Sequence, residues 1–252
     1  MLRRDILSTA KLAGKRALYP GLDLHTRCRY RYLPRLFRRG SIYTLDAGFG
    51  NGALSYAAYR RGNRVLGVSV AERDVEATTA LFDFMRVPRE SVEFKLKNIY
   101  DLRDLNLRFD QIICSETLEH IARDDEVIQM FADLLTPGGR LVLCCPYALH
   151  PEHNLGRTNE PETGYHVRDG YTLASYRRLL EPTGLRVTKT LGLGSPLLCR
   201  LDWVLRHFRA RFGQVAAIPL FLLLLPLTRL DRTNPRVPFS LALVAEKEAG
   251  PV

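Results

Sequence analysis

The segment from Tyr43 to Gly52, which reads YTLDAGFGNG, constrains the fold of this chain more than any other stretch. A short apolar run ends in Asp46, and glycines follow at positions 48, 50 and 52, ahead of a helical segment that begins near Ala53. This order predicts a strand, a sharp turn and a helix, because glycine lets the backbone turn at positive φ and approach a ligand closely. An acid at the end of a strand would repel a pyrophosphate but accept an ammonium group, so Asp46 indicates a cationic ligand.

Further apolar runs follow at intervals along the chain. The runs at 64–70, 91–96, 109–113 and 140–145 have the length and composition of strands, and helical stretches separate them. The run at 64–70, RVLGVSV, is nearly continuous, as expected for a strand that is buried on both faces. Such alternation predicts βαβ units and a parallel sheet.

The apolar residues, Asp46 and the three glycines together resemble the first motif of class I S-adenosylmethionine-dependent methyltransferases. The segment from Ser115 to Ile121, SETLEHI, resembles the strand-to-loop segment of the small-molecule and quinone-type members, and Leu135-x-Pro-Gly-Gly-x-Leu resembles the junction before their fifth strand, where glycine ends the helix. The resemblance implies an α/β Rossmann-like sheet of seven strands in the order 3-2-1-4-5-7-6, with strand 7 antiparallel and helices on both faces. Strands 6 and 7 are then expected at 185–191 and 239–246.

This resemblance also divides the chain. It implies a methyltransferase domain at 41–192 and 237–248, preceded by a basic helical segment at 1–40. Residues 193–236 then form an insert between strands 6 and 7, at a place where a plain family member has a short connection.

The resemblance implies S-adenosyl-L-methionine as the cofactor. Ser69 stands where the family usually has the acid that binds both ribose hydroxyls, and Asn98 stands near the position of the Asp that receives the adenine amino group. Cyclopropane-fatty-acid synthases also lack an acid at the position of Ser69. The resemblance to these enzymes implies a lipid substrate. The expected cofactor-binding residues are Asp46, Ala47, Gly48, Gly50, Gly52, Ser69, Val70, Asn98, Ile99, Ser115 and Glu116.

Histidines are the candidates for removing a proton from a hydroxyl acceptor, because their pKa of about 6.5 lies near neutral pH. His166 is the first candidate, followed by His120 and His150. His166 belongs to GYHVRDGYT, which ends the polar loop at 147–170 and resembles a segment over the substrate mouth of bacterial methyltransferases. The loop is therefore expected to cover the substrate. His120 has a second interpretation, in which it braces the loop through a backbone hydrogen bond.

Charge is distributed unevenly along the chain, whose net charge is +10. Residues 1–40 contain 11 Lys or Arg against 2 Asp or Glu, and residues 195–236 contain 7 against 2. These two segments favour an anionic surface or substrate, with a solvated basic face as the plainer alternative. Amino-methylation of nucleic acid is not expected, because the Asn/Asp-Pro-Pro-aromatic tetrapeptide of those enzymes does not occur.

Two segments predict contact with a membrane surface. Residues 2–19 read as a basic amphipathic helix, and residues 197–230 contain VAAIPLFLLLLPL, flanked on both sides by arginines. Thirteen apolar residues are too few to span a bilayer, so the run is expected to dip into one leaflet, to pack in the core or to form a dimer interface. The acceptor is accordingly expected to be a small or lipid-linked molecule that is methylated at oxygen, and the protein is expected to be cytoplasmic and peripheral on the inner face of the membrane. The alternatives are a soluble natural-product or sugar methyltransferase, whose insert forms a dimer interface, and a cofactor-binding scaffold without turnover.

The five cysteines show no metal-binding spacing, and no metal site is expected. Cys144 and Cys145 are adjacent in an apolar run and should point to opposite faces of one strand, as buried free thiols. The sequence leaves the oligomeric state undetermined.

Overall fold

Seven strands form one sheet in the computed structural model, which describes residues 2–153 and 165–249, with side chains from residue 9 onward. The strands are β1 (Tyr43–Ala47), β2 (Arg64–Ser69), β3 (Val92–Leu96), β4 (Phe109–Ser115), β5 (Leu135–Pro146), β6 (Leu185–Leu193) and β7 (Ser240–Lys247). Their order is β3-β2-β1-β4-β5-β7-β6, and β7 is antiparallel to both of its neighbours while the other pairs are parallel. The predicted sheet is confirmed, including the antiparallel seventh strand.

Eight α-helices connect or precede these strands in the described part of the chain. They are α1 (Leu2–Ala17), α2 (Leu24–Tyr32), α3 (Ala53–Tyr59), α4 (Glu72–Phe84), α5 (Asp124–Leu134), α6 (Leu173–Leu180), α7 (Pro196–Phe212) and α8 (Ala217–Leu224). The later part of the basic helical segment predicted at 1–40 is divided, because α2 passes at Tyr32 into a short 3-10 helix, Leu33–Leu36, that contains Pro34. Another 3-10 helix, Leu225–Leu230, follows α8.

Successive residues of each central strand enter different apolar cores on the two faces of the sheet. Cys145 packs in the core that also contains α5 and α6, whereas Cys144 packs in the core covered by α2, α3, α7 and α8. This alternation explains why the central runs are apolar without a period of two. All five cysteines are free and buried, as the sequence predicted.

The junction between α5 and β5 differs from the prediction. The helix ends at Leu134 without glycine, because Leu135 is already extended (φ −74°, ψ 137°) and pairs with Phe109 of β4. Gly138 does have a positive φ of 71°, but it turns the chain inside β5, four residues beyond the end of the helix. The expectation that this glycine caps the helix was therefore wrong.

The two basic segments pack against each other on one face of the sheet. Arg31 Nη1 donates to the carbonyl oxygen of Thr228 at 3.2 Å, and the Tyr32 hydroxyl donates to the carbonyl oxygen of Asp231 at 3.2 Å. The Arg27 guanidinium lies over the ring of Phe221 in α8, 4.7 Å from its centroid. Helix α2 and the segment after β6 thus form one layer, although 193–236 as a separate insert stays a prediction.

The apolar run of the predicted insert is divided between core and surface. Ala217, Phe221 and Leu224 of α8 are buried, whereas Leu222 and Leu223 are 54% and 70% exposed. Among the described residues, every helix is too short or too polar to span a bilayer. The run is therefore a surface helix whose outward face is also apolar.

Candidate active site

A cavity of about 310 Å³ opens where β1 and β4 end side by side. Its walls come from the loop after β1, from the end of β4 at Ser115 and Glu116, and from Thr26 and Arg29 of α2. Asp46, the last polar residue of β1, also lines it. The carboxyl edge of a parallel sheet is where open α/β folds bind ligands, so this cavity is the candidate site.

The three glycines of the loop, all at positive φ, have different roles. A Cβ atom on Gly48 (φ 80°) would overlap the side chain of Thr117, and one on Gly52 (φ 72°) would lie 2.6 Å from Thr78 Cγ2. At Gly50 (φ 54°) no described heavy atom lies within 4 Å of such a Cβ, so this glycine faces open space. Gly48 and Gly52 are thus required by packing within the protein, and Gly50 is the one that leaves room for a ligand.

Asp46 is a buried carboxyl group, 1% exposed, with one protein hydrogen bond to its Oδ2 atom. Ser55 Oγ of α3 donates that bond at 2.5 Å. Burial raises the pKa of Asp46 to about 6, and the Ser55 hydrogen bond opposes the increase by favouring the ionised form. A cationic group in the cavity would stabilise the carboxylate, as the sequence predicted for an ammonium ligand.

Arg29 provides the opposite charge, and its assignment could not be made from the sequence. Its Nη1 atom lies 3.2 Å from Glu116 Oε2, and the Ser240 hydroxyl donates to the other carboxylate oxygen at 3.3 Å. Burial raises the pKa of Glu116, whereas the nearby Arg29 charge lowers it. Asp23 sets the position of α2 as its N-cap, because Asp23 Oδ1 accepts from Thr26 N at 2.6 Å. The cavity therefore presents the Asp46 carboxyl group on β1 and, on another wall, the Arg29 guanidinium of α2 paired with the Glu116 carboxylate.

Thr117 and Ser55 are further residues of the site that the sequence did not single out. The Thr117 hydroxyl donates to the carbonyl oxygen of Ser115 at 3.1 Å, and its side chain fills the space over Gly48. Neither residue departs from an ordinary loop or helix composition, so only the packing identifies them.

The residues predicted to bind ribose and adenine follow β2 and β3, which are neighbours in the sheet. Ser69 Oγ accepts from Ala71 N at 3.1 Å, and Asn98 Oδ1 accepts from Tyr100 N at 3.1 Å, where it begins a 3-10 helix. Val70 is 69% exposed at this edge, whereas Ile99 is buried. The Ala47 side chain lies wholly within the core, so only the backbone of Ala47 can face a ligand.

Two of the three candidate histidines meet beside β4. The rings of His120 and His166 are 4.7 Å apart and nearly perpendicular. Val167 N donates to the Glu119 carbonyl oxygen at 2.9 Å, and Arg168 Nη2 donates to that of Ile121 at 2.7 Å. These bonds hold the segment of His166 against the loop that carries His120. Residues 154–164 of the predicted substrate-covering loop lie outside the described residues.

Glu119, which the sequence analysis did not select, lies beneath this pair. Its side chain is buried, and Oε1 is 4.0 Å from His120 Nε2. Burial and the neighbouring Glu116 raise the pKa of Glu119 to about 8. Glu119 Oε2 and His120 Nδ1 are both buried without a hydrogen-bond partner among the described residues. The sequence does contain a signal for Glu119, because this residue is the second acid in SETLEH, three residues after Glu116.

The donor atoms of Glu119, His120 and His166 all lie within 4.8 Å of one another. A carboxylate and two imidazoles form a set that many divalent metals accept, so within the described part of the chain this is where a metal ion could be held. The predicted absence of a metal stays untested.

His150 lies in a different set of contacts. Its Nε2 atom is 3.8 Å from Cys199 Sγ, and its ring is 5.2 Å from that of Phe239. His153 also packs on Phe239, and its Nε2 atom lies 3.0 Å from the Phe239 carbonyl oxygen. The contacts of His150 are thus those of a packed side chain against α7 and the start of β7.

Comparison with known proteins agrees with this geometry. A family described as a methyltransferase domain matches residues 23–190. The ubiquinone biosynthesis O-methyltransferase of Coxiella burnetii is 30% identical over 126 residues, which cover 48% of this chain and 50% of that protein. The chain thus spans about half the length of the curated relatives it matches.

Solved structures of similar fold share little sequence with the chain. Magnesium protoporphyrin IX methyltransferase from Synechocystis, with bound S-adenosylhomocysteine, matches with a TM-score of 0.55 at 17% identity, over 87% of this chain and 80% of that one. The cyclase SpnF matches with a TM-score of 0.61 at 17% identity, over 88% and 81%. At this identity the likeness shows the fold alone.

Proposed function

We propose, since the chain belongs to the class I S-adenosylmethionine-dependent methyltransferases, that it transfers a methyl group to a hydroxyl group of a small-molecule or lipid-linked acceptor. One observation carries the proposal: a single cavity beside the glycine loop has a buried carboxyl group on one wall and a guanidinium on another. The ammonium and carboxylate groups of the methionyl part of the cofactor match these charges. Gly50 leaves space on the same side, so the residues fit the cofactor.

Each part of the cofactor then has a protein partner. Asp46 would hold the ammonium group, Arg29 the carboxylate and Ser69 a ribose hydroxyl. Val70 and Ile99 would pack against adenine, and Asn98 would accept a hydrogen bond from its amino group. When bound, S-adenosylmethionine would supply a methyl group on a sulfonium centre, and the sulfur would be the leaving group when a nucleophile takes the methyl group in line.

The protein's part in the reaction is to align the acceptor and to take its proton. His166 is the first candidate, because burial and the neighbouring His120 lower its pKa and leave the ring neutral, ready to accept a proton. His120 lies in contact with it, and His150 is the third candidate. Methylation at oxygen is supported by the name of the Coxiella burnetii relative, which is an O-methyltransferase.

Docking to an anionic membrane surface completes the proposal. Leu222, Leu223 and Val215 of the predicted insert are more than half exposed, and arginines at 209, 211, 229 and 232 lie on either side of this run. Exposed apolar side chains flanked by cations are typical of interfacial segments. The protein would then be cytoplasmic and peripheral on the inner face of the membrane.

Two alternatives have support from specific observations. The exposed apolar face also suits a dimer interface in a soluble enzyme that methylates a sugar or natural product. The oxygens of Ser69 and Asn98 already accept backbone hydrogen bonds, which favours a scaffold role.

Calorimetric titration of the unchanged chain and of the Asp46→Ala variant, each with S-adenosylmethionine and with S-adenosylhomocysteine, tests the proposal. We expect micromolar binding that the variant loses, followed by transfer of labelled methyl groups into a lipid extract. Binding that survives Asp46→Ala would contradict the assigned site, and binding without any transfer would favour the scaffold.

A further inference from the structure

A second and larger cavity, of about 1000 Å³, forms a groove between α1, α4 and the turn that joins α7 to α8. Gly50 and Asn51 line both this groove and the candidate site, so the two meet at the glycine loop. The residues assigned to ribose and adenine are not among its lining residues. The groove is therefore distinct from the part of the site assigned to ribose and adenine, and its volume lies at the upper end of the range for small-molecule sites.

The walls of the groove are apolar. Leu18 closes it at the end of α1, Leu81 contributes from α4, and Ile218 contributes from α8. Ala77, one turn before Leu81 on α4, also lines it and leaves the space that a larger side chain would fill. Such walls take up hydrocarbon in preference to polar ligands.

The rim of the groove is cationic. Lys11 and Lys15 of α1 and Arg73 of α4 line it, against a single carboxylate from Asp74. No ion pair links these three cations to the side chains that the structure describes, which begin at residue 9. The groove thus combines a hydrocarbon-binding wall with a surplus of positive charge, which matches an anionic amphiphile.

The groove is continuous with the exposed apolar residues of the predicted insert. Val215, 80% exposed, lies at its edge, and Phe212 precedes it at the end of α7 with more than half of its surface exposed. A molecule that left a bilayer beside these residues would meet the groove directly. A second copy of the chain is a poorer occupant, because each copy has a net charge of +10 and would bring cations to a cationic rim.

We propose that this groove binds one acyl chain of an anionic phospholipid, with the chain along the wall of Leu18, Leu81 and Ile218 and the phosphate beside Lys11, Lys15 and Arg73. The proposal rests on the membrane docking proposed above in one respect, because the docked membrane would supply the lipid. The groove itself binds a soluble amphiphile without a bilayer. Occupation of the groove brings a lipid against Gly50 and Asn51, the residues that also border the methionyl end of the cofactor site.

The test uses soluble amphiphiles below their micelle concentration. Octanoyl, decanoyl and dodecanoyl lysophosphatidylglycerol are titrated calorimetrically into the full chain, and affinity is expected to rise about fourfold for each methylene that enters the groove. Ala77→Trp fills the groove and should reduce the affinity for the dodecanoyl compound more than tenfold. Ala80→Trp, on an exposed position of the same helix outside the groove, is the matched control and should bind as the unchanged chain does.

A charge variant makes the test independent of any effect of tryptophan on folding. Lys11→Glu/Lys15→Glu should remove the preference for lysophosphatidylglycerol over lysophosphatidylcholine, whereas Lys189→Glu on β6 should keep it. Asp46→Ala should bind the amphiphile normally while losing the cofactor, which separates this proposal from the proposed function. Affinity that does not depend on acyl length, or equal binding by both tryptophan variants, would overturn it, as would a concentration-dependent mass that Ala77→Trp abolishes.

Discussion

Asp46 is buried with its pKa raised to about 6, so the charge that would hold an ammonium group changes close to neutral pH. Below that pH the carboxyl group is protonated and loses its attraction for a cation. We predict that affinity for S-adenosylmethionine is constant above about pH 7 and falls about tenfold per pH unit once the pH is well below 6. Calorimetric titration at a series of pH values across this range measures the affinity.

Ser55→Ala provides the control for that pH dependence. The Ser55 hydroxyl favours the ionised form of Asp46, so its removal should raise the pKa further and move the loss of affinity to higher pH. A midpoint that stays in place in Ser55→Ala would mean that another group titrates.

Arg29 and Arg31 lie on the same helix and form a matched pair for a second prediction. Arg29 lines the candidate cavity beside Glu116, whereas Arg31 binds the Thr228 carbonyl oxygen at an exposed position. Arg29→Met should reduce affinity for S-adenosylmethionine by about 1.5–3 kcal/mol, or roughly 10- to 150-fold, because a charged hydrogen bond to the carboxylate is lost. Arg31→Met should leave it unchanged. Because Arg29→Met also leaves Glu116 without its cation, the melting temperature of Arg29→Met is measured alongside the affinity, to check that the loss does not come from unfolding.

The site residues show what the sequence could and could not predict at this scale. Asp46 and Glu116 were expected in the site because motifs fix their place at strand ends, and the structure places both beside one cavity. Arg29 could not be assigned to the site from the sequence, because the direction of its side chain depends on how α2 docks. Tyr30 packs against Tyr19 at a ring distance of 6.0 Å, and the hydroxyl of Tyr32 binds Asp231, which leaves Arg29 facing the cavity.

The glycine loop is the element whose parts can be tested separately. Gly50→Ala places a methyl group in the open cavity and adds the cost of a left-handed residue, about 1–2 kcal/mol, so we predict a folded protein with weakened cofactor binding. Gly48→Ala carries the same backbone cost and also overlaps Thr117, so its melting temperature should fall further. Thermal unfolding and cofactor titration of both variants measure this. Equal melting temperatures would show that Thr117 moves aside freely.

Elements with strong local signals were predicted well, and those set by packing were not. The first five strands follow from apolar runs and turn residues, and the last two from the resemblance to the family, whereas the end of α5 at Leu134 depends on the pairing of Leu135 with β4. The apolar run of α8 could not be assigned to core or surface, because each of its residues is hydrophobic and only packing decides which are buried. Leu198, Leu205 and Phe221 belong to the core, so membrane docking has to be tested by substitution of exposed residues in 197–230 and not by deletion of the whole segment.

For the whole molecule, the packing of α2 against the predicted insert changes the meaning of the charge distribution. The sequence shows two basic segments far apart in the chain, and the structure joins them through Arg31, Tyr32 and Arg27 into one layer. Charges gathered on one face produce a stronger field at a nearby anionic surface than the same charges spread over the molecule. The exposed apolar residues of α8 belong to the same layer, so the positive charges and the apolar side chains would contact a membrane surface together.

The single tryptophan, Trp203 of α7, is 53% exposed and makes this docking measurable. We predict that its emission shifts to shorter wavelength with vesicles that contain phosphatidylglycerol, less with phosphatidylcholine alone, and less at high salt, because screening weakens the attraction.

Leu222→Ser/Leu223→Ser should weaken vesicle binding at least about tenfold with little change in melting temperature, since both side chains are exposed. Leu149→Ser, an exposed leucine outside the insert, should bind as the unchanged chain does. If the same shift appears on raising the protein concentration without vesicles, and the double variant abolishes it, the apolar face is a dimer interface instead. Dimer formation and vesicle binding compete for the same leucines, because a face covered by a second copy has no hydrocarbon contact left to offer a bilayer.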